Sequence, residues 1–253
     1  MDDQKPDFGY LDKTIELMRK IECEQQENIE KAAGLMADTI EQDRLIHVYG
    51  GGGHTTLVMG EMFFRAGGLA NINPIMETGL SVFNQALKYL ELERCVNYGR
   101  SIVKYFRLQP DDVLIIFHNI GINPATIDAD MEAQDAGARL IAVSSSRWQE
   151  EMPPDHLIRH PNGNNLFDLA DVCIDDYNEV GDCAVEVPGF ETPIAPNSNL
   201  IDFYIAHRLE IETVRQCVDR GIDPPVWRSA NAPGGDAFNA QFVKKYSPRV
   251  KML

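Results

Sequence analysis

The sequence lacks the patterns that mark several common classes of protein. Its five cysteines, Cys23, Cys95, Cys173, Cys183 and Cys217, are scattered and never spaced as CxxC, which argues against a disulfide framework or a zinc knuckle. No apolar run approaches the roughly 20 residues that a membrane helix requires, and the first residues carry neither a basic start nor an apolar signal core. We therefore expect a cytoplasmic protein with reduced cysteines and no membrane partner.

Basic residues are scarce compared with acidic ones. The chain has 23 Lys and Arg against 39 Asp and Glu, a formal net charge of -16. Such an excess of negative charge argues against a nucleic-acid partner. It does not exclude a small anion, because backbone N–H groups at a helix N-terminus bind phosphate whatever the net charge.

The standard nucleotide-binding motifs are also missing. The glycine-rich stretch "GGGGHTT", which starts at Gly50, would need a glycine at Thr55 or Thr56 to read GxGxxG, and it lacks the Gly-Lys-Ser/Thr of a P-loop. This argues against a dinucleotide enzyme and against an NTPase. What remains is a loop whose backbone can approach a ligand closely, followed by Thr55 or Thr56 as the cap of a helix.

The chain reads as a single domain, 1–253, in three parts. Residues 10–42 have the apolar spacing of one long amphipathic helix or of two helices end to end. In the core, 44–220, short apolar runs alternate with helical stretches, which predicts an α/β fold with a parallel sheet and crossover helices. The tail, 221–253, is rich in Pro, Gly and Asn, and we expect it to be irregular and to wrap the domain or a neighbouring subunit.

Polar residues follow three of the predicted strands. In an open parallel sheet, ligands bind beyond the carboxyl ends of the strands, near the point where the strand order reverses. Each of these loops alone could consist only of turn and cap residues, but together they predict a site for an anion or a polyhydroxylated molecule. The candidate ligand-binding residues are Gly51, Gly52, Gly53, His54, Thr55, His118, Asn119, Ser144 and Ser145.

Glu61 is the first candidate catalytic residue. It lies in the helix that follows the glycine loop, and most glutamates in helices face solvent. Its neighbours Val58, Met62 and Phe63 are apolar, however, so we expect a half-buried carboxylate. A half-buried carboxylate with a raised pKa is a suitable general base for removing a proton beside a carbonyl.

His207 is the second candidate, on the core side of the last long helix of the predicted core. A histidine in that position is usually satisfied by hydrogen bonds and only sometimes catalytic. Together with His54, His118 and Glu61 it could form a metal site, although the sequence spacing gives that idea no specific support. We expect no metal or other cofactor.

The sequence resembles the SIS (sugar isomerase) domain family, in particular stand-alone bacterial proteins of the phosphosugar and phosphoheptose isomerase type. The resemblance rests on "GGGGHT", "EMFFRAGGLANINPIMETGL", "PDDVLIIFHNIGIN", "GDCAVEV" and "DPPVWRSANAPGGDAFN", which together span most of the chain. It implies a flavodoxin-like or Rossmann-like three-layer sandwich with a five-stranded parallel sheet. It also implies homodimers or homotetramers with sites at the subunit interfaces.

The resemblance further implies an aldose-ketose isomerase that works through an enediol. Glu61 then matches the carboxylate that moves the proton, and His207 matches the histidine that opens the ring or shuttles protons. The polar Asn199, eight residues before His207 at the start of the same helix, is by this resemblance a further candidate ligand-binding residue. The third loop departs from the family, because His118 and Ile120 stand where relatives carry phosphate-binding serines. Loss of a hydrogen bond to a charged group costs about 1.5 to 3 kcal/mol, so a phosphate grip should be weakened.

Three functions fit these observations. The leading one is an isomerase acting on a sugar phosphate or a sugar acid, with Glu61 as the base. The second is a non-catalytic sugar-phosphate sensor, since SIS domains also serve as ligand-binding modules. The third is a lyase or etherase acting on an amino-sugar derivative, which could use the same glutamate to remove an alpha proton.

Overall fold

The computed structural model describes residues 8–253 and shows an α/β fold. Within this range, no helix is long and apolar enough to span a bilayer. The strands are β1 (Ile46–Gly50), β2 (Ile72–Pro74), β3 (Val113–Phe117), β4 (Arg139–Ser144), β5 (Val172–Asp175), β6 (Cys183–Val185) and β7 (Ile194–Pro196). The helices are α1 (Tyr10–Glu24), α2 (Gln26–Glu41), α3 (Thr56–Met62), α4 (Ala86–Leu92), α5 (Tyr98–Phe106), α6 (Pro124–Asp135), α7 (Ser146–Glu151), α8 (Leu166–Leu169), α9 (Ser198–Asp219) and α10 (Gly235–Tyr246).

The first five strands form one parallel sheet in the order β2-β1-β3-β4-β5, which confirms the predicted fold class. Successive residues of a strand point to opposite faces, and β3 shows this directly. Val113, Ile115 and Phe117 join a core with residues of α2, α3 and α9. Leu114 and Ile116 join a second core with residues of α5 and α6 on the other face. The sheet is therefore the middle of three layers, and its strand order reverses between β1 and β3.

The N-terminal arm consists of two helices end to end, α1 and α2, which is one of the two arrangements predicted for residues 10–42. They meet at Gln25, whose side chain donates to the Tyr177 hydroxyl and accepts from the backbone N–H of Asp175 at 3.2 Å. Ile29, Ala32 and Met36 of α2 are buried in the same core as α9. The arm thus covers one face of its own sheet.

The prediction of an irregular tail was wrong in part, because the tail contains the helix α10. Its apolar residues Phe238, Phe242 and Tyr246 recur every four positions, which places them on one side of a helix. Most of the Pro and Gly that concealed this pattern lie before the helix or at its start, whereas Asn239 lies within the helix and Pro248 follows it. Ahead of α10, the backbone N–H of Gly67 donates to the carbonyl of Trp227 at 2.8 Å, and Trp227 donates back to Gly68 at 3.0 Å. The tail therefore packs on its own domain and fixes the segment 67–70.

Candidate active site

The glycine loop leads directly into the helix that carries Glu61. A side chain at Gly50 would begin 2.4 Å from the carbonyl oxygen of Thr55, so the sharp return of the chain requires glycine there. We expected Thr55 or Thr56 to cap α3, but the side chain of Thr55 makes no capping bond. Its hydroxyl instead accepts from the Gly52 N–H at 3.0 Å and donates to the Gly52 carbonyl at 3.1 Å. Both hydrogen bonds of this hydroxyl are therefore made within the glycine loop. Glu61 follows in the second turn of α3.

Glu61 is partly buried and contacts two cationic or ionisable side chains. Its side chain is 20% exposed. One oxygen, Oε1, accepts from Nε2 of His207 at 3.1 Å and from Nε of Arg65 at 3.1 Å. The other oxygen, Oε2, makes no hydrogen bond to any residue in 8–253. Both donors bind Oε1, so Oε2 keeps its lone pairs available for a proton.

His207 lies between two carboxylates. Its Nε2 faces Glu61, and its Nδ1 is 3.0 Å from Oε2 of Glu210, which lies one helical turn further along α9. The Glu210 side chain is only 7% exposed, and its other oxygen accepts from the backbone N–H of Leu69 at 3.3 Å. The hydrogen bond to Glu210 is the largest cause of the raised pKa of His207. Burial, the next in size, lowers that pKa, and the charge of Glu210 together with the hydrogen bond and charge of Glu61 outweighs it. The imidazole is thereby fixed in orientation and favoured in its charged form.

A cavity of about 540 Å³ opens beside this array. Its wall includes Arg65, His207 and Glu210, together with Gly67 and Gly68 of the segment held by the tail. The rest of the wall is apolar and comes from Ala66 and from residues of α9 and the tail. A pocket of this volume with a few convergent polar groups has the size of a site for a small molecule.

The role of Glu210 predicts a measurable change in the titration of His207. Replacing Glu210 with glutamine removes the carboxylate whose hydrogen bond is the largest cause of the raised pKa of His207, and it keeps the shape of the side chain. We therefore expect the His207 midpoint to move to lower pH in E210Q. The measurement is the ¹H–¹³C NMR titration of the histidine Cε1 signals, with the His207 signal assigned by its loss in His207→Asn.

A matched control is available on the same helix. Glu212 is also a buried glutamate of α9, but it pairs with Arg215 at 2.5 Å and does not contribute to the pKa of His207. Glu212→Gln should leave the His207 midpoint unchanged. An unchanged midpoint in E210Q would show that Glu210 does not stabilise the imidazolium.

A second group of predicted residues meets where the sheet order reverses. Gly51, Gly52 and Gly53 are buried, and side chains at Gly51 and Gly52 would begin 3.2 and 3.0 Å from the His118 ring. His118 follows β3 and is itself only 2% exposed. Burial lowers its pKa to about 3, so the ring is neutral. The loops after β1 and β3 thus meet, as predicted from the parallel sheet.

The other residues after β3 and β4 have partners inside the protein. Asn119 donates through Nδ2 to Asp176 at 2.6 Å and to Asp202 at 3.3 Å. The hydroxyl of Ser144 donates to the Asn119 carbonyl at 3.2 Å, and that of Ser145 donates to the Asn178 carbonyl at 2.5 Å. Their predicted role in ligand binding stays a prediction, and in this structure their polar groups hold the strand ends together.

Two of the predicted ligand-binding residues lie apart from both groups. The side chains considered as metal ligands also do not form a cluster within the described residues. His54 is exposed, and Asn199 lies in the first turn of α9, where its buried Oδ1 has no hydrogen-bond partner among residues 8–253. Eight residues of helix separate Asn199 from His207, a distance of about 12 Å. Across residues 8–253, no three His, Cys, Asp or Glu side chains are grouped so that they could hold a metal ion.

Sequence reasoning missed Arg65 and Glu210. Arg65 is four residues after Glu61, and Glu210 is three residues after His207, spacings that place side chains together on a helix surface. That spacing was a usable signal for Glu210. Arg65 lies beyond the last residue of α3, and only the path of the chain after the helix returns it to Glu61.

Fold and site together define an open α/β protein in which a carboxylate on the helix after the glycine loop pairs with a histidine of α9. The sequence model described as SIS domain matches residues 9–145, more than half of the chain. The chain belongs to the SIS domain family. This confirms the resemblance drawn from the sequence.

Relatives and solved structures agree with that assignment. A UPF0309 protein of Thermoanaerobacter pseudethanolicus is 33% identical over 248 residues, which cover 96% of this chain and 98% of the relative. A UPF0309 protein of Listeria monocytogenes serotype 4b is 31% identical over 245 residues, with 97% of each chain covered. A phosphoheptose isomerase from Francisella tularensis has a TM-score of 0.53 at 15% identity, covering 82% of this chain and 95% of its own. One from Neisseria gonorrhoeae has a TM-score of 0.52 at 14% identity, covering 84% and 96%.

Proposed function

We propose that the protein binds a carbohydrate derivative and interconverts its aldose and ketose forms through an enediol. The observation that carries this proposal is the array of Glu61, His207 and Glu210 beside a cavity of about 540 Å³. A base with a free carboxylate oxygen and an acid held next to it are the two groups that such a reaction requires. Membership of the SIS domain family and the fold shared with two phosphoheptose isomerases support it.

The proposed reaction moves two protons and leaves the oxidation state of the whole molecule unchanged. Oε2 of Glu61 removes the proton from C2 of the open-chain aldose, and the electron pair forms the C1–C2 double bond of the enediolate. His207 gives a proton to the oxygen on C1, and the hydroxyl on C2 gives its proton to the imidazole as its own carbonyl forms. Glu61 then returns its proton to C1. Arg65 keeps Oε1 engaged and stabilises the developing negative charge.

Glu210 is a positioning residue in this scheme. Although Glu210 forms part of the cavity wall, one of its carboxylate oxygens is bonded to His207 and the other to the backbone N–H of Leu69. By holding Nδ1, it directs Nε2 towards Glu61 and the ligand and stabilises the imidazolium. The tail segment that fixes 67–70 supports the same wall of the cavity.

The test is hydrogen exchange on a panel of aldoses, ketoses, sugar acids and sugar phosphates in D2O, followed by ¹H NMR. We expect at least one sugar to lose the C–H signal beside its carbonyl and to give its aldose or ketose partner. The exposed Glu27 of α2 provides a control for the replacement of a glutamate by glutamine. Glu27→Gln should leave the exchange rate unchanged. Binding without exchange would contradict turnover and favour a sensor, and an elimination product would favour a lyase or etherase.

A further inference from the structure

The first N–H groups of α6 are bonded inside the protein, although anions often bind at such a helix start. The helix begins where the strand order of the sheet reverses, and its first residue, Pro124, has no N–H. The N–H of Ala125 donates to the carbonyl of Glu93 at 3.0 Å. The N–H of Thr126 donates to the carbonyl of Asn123 at 3.0 Å. Because the hydroxyls at the end of β4 are also bonded to carbonyls, a charged group of the ligand needs other donors.

Arg65 has such donors at the wall of the cavity of about 540 Å³. Its Nε lies 3.1 Å from Oε1 of Glu61. Its two terminal nitrogens, Nη1 and Nη2, make no hydrogen bond to any residue in 8–253. The guanidinium is always charged and carries only donors, and the side chain is 59% exposed. A solute that enters the cavity can therefore bind to it.

The backbone of Arg65 is held in place by the turn that follows α3. Phe64 has a φ of 51°, in the left-handed region that bulky residues rarely adopt, and such a conformation persists where the surroundings fix it. The Phe64 ring packs edge-on against Trp227, with 4.9 Å between the ring centroids. The N–H of Gly68 donates to the carbonyl of Arg65 at 2.9 Å. Arg65 is thus a fixed part of the cavity wall.

The charges and donors at the cavity favour a carboxylate over a phosphate. A phosphate ester carries a charge of about -1.5 to -2 at neutral pH and has three oxygens that accept hydrogen bonds. At Arg65 it would lie close to the carboxylates of Glu61 and Glu210. The N–H groups of Gly67 and Gly68, which also line the cavity, are already bonded to carbonyls. A carboxylate carries a single charge, and its two oxygens match the planar fork of one guanidinium.

We infer that Arg65 recognises the charged end of the ligand and that this end is a carboxylate, so that the substrate class is a sugar acid. The carboxylate pairs with Nη1 and Nη2 of Arg65, while Nε stays with Oε1 of Glu61. This inference rests on the proposed carbohydrate ligand and names its class. It makes Arg65 a specificity-determining residue in addition to its contact with the base.

The test measures binding by isothermal titration calorimetry at fixed ionic strength. The probes are glucuronate, galacturonate and mannuronate, their parent sugars, and the 6-phosphates of those sugars. We expect at least one uronate to bind about tenfold or more tightly than its parent sugar, because hydrogen bonds to charged groups are the strong ones. No 6-phosphate should bind more tightly than the matching uronate.

Two variants of Arg65 and one matched control assign the effect to this residue. Arg65→Gln should bring the affinities for a uronate and its parent sugar to within about threefold of each other. Arg65→Lys keeps the charge without the fork and should retain only part of the preference. Arg147 of α7 also lies 3.0 Å from a glutamate four residues away and is 47% exposed, but it does not line the cavity. Arg147→Gln should leave the preference for the uronate unchanged.

Several results would overturn the inference. They are the absence of a uronate preference in every pair, tighter binding of a 6-phosphate than of its uronate, and equal losses in Arg65→Gln and Arg147→Gln. If Arg65→Gln does not fold, as judged by circular dichroism, an undiminished preference in Arg65→Lys has the same consequence. A uronate preference without C–H exchange on any sugar would reject isomerisation alone, whereas exchange without a uronate preference would reject this inference alone.

Discussion

Replacing Glu61 with glutamine is expected to lower the rate of C–H exchange and isomerisation by about 10²- to 10⁴-fold, the range that a general base contributes. Glutamine keeps an oxygen that can accept from Nε2 of His207 and Nε of Arg65, as Oε1 of Glu61 does. It loses the second carboxylate oxygen, which in our scheme takes the proton from the sugar. The measurement is the initial rate of deuterium uptake by ¹H NMR on the most reactive sugar of the panel.

The effect on binding separates this role from a structural one. Because glutamine preserves the shape of the side chain and its contacts with α9, we expect KM to change by less than threefold while kcat falls. The Glu27→Gln variant and the melting temperature of each protein serve as controls. Exchange in Glu61→Gln within tenfold of the wild-type rate would remove Glu61 from the proposed mechanism.

Much of the fold could be predicted because buried parallel strands leave a strong signal. The apolar runs around Ile46, Ile72, Val113, Leu140 and Val172 each became a strand, since a strand covered on both faces is apolar on both faces. The helix α10 was missed because its start, "PGGDAF", reads as a turn. The pair β6 and β7 was missed for a related reason, as each strand has three residues and the two are antiparallel.

The sequence predicted which residues form the candidate site, but it did not predict their hydrogen-bond partners. Glu61 and His207 are 146 residues apart in sequence, and only the family resemblance indicated that they act as a catalytic pair. In the structure the two side chains lie 3.1 Å apart. No sequence pattern indicates whether a hydroxyl points into a cavity or towards a carbonyl. For that reason Ser144 and Ser145 looked like free donors, although both hydroxyls are bonded inside the protein.

A second large effect is expected from the buried carboxyl pair behind the site. Asp176 and Asp202 are both fully buried, and one amide nitrogen of Asn119 bonds to both. Burial raises the pKa of Asp176 from 3.8 to about 7, and burial with the charge of Asp176 raises that of Asp202. The folded protein therefore holds protons that the unfolded chain releases above pH 4. Its stability should fall as the pH rises from about 4 to 7 and stay low above that range.

Asp202→Asn tests this directly, since it removes one ionisable carboxyl and leaves an amide of the same shape. Oδ2 of Asp202 has no hydrogen-bond partner among residues 8–253, so the substitution breaks no bond at that atom. Because the wild type loses stability as the pH rises through the raised pKa of Asp202, whereas the amide has no ionisable proton, we expect the variant to be more stable than the wild type at pH 8. At pH 4 the two proteins should be nearly equal.

The measurement is urea unfolding at pH values from 4 to 8, with the exposed Asp219→Asn of α9 as the matched control. Burial also raises the pKa of Asp130 and of Glu93 to about 7, so these groups weaken the wild type and the variant over the same pH range. The decisive quantity is therefore the difference between the two proteins, in which the contributions of Asp130 and Glu93 cancel. A difference that is the same at pH 4 and pH 8 would mean that Asp202 does not exchange a proton on folding. A difference that grows with pH would show that the fold stores a proton between α9 and the end of β5.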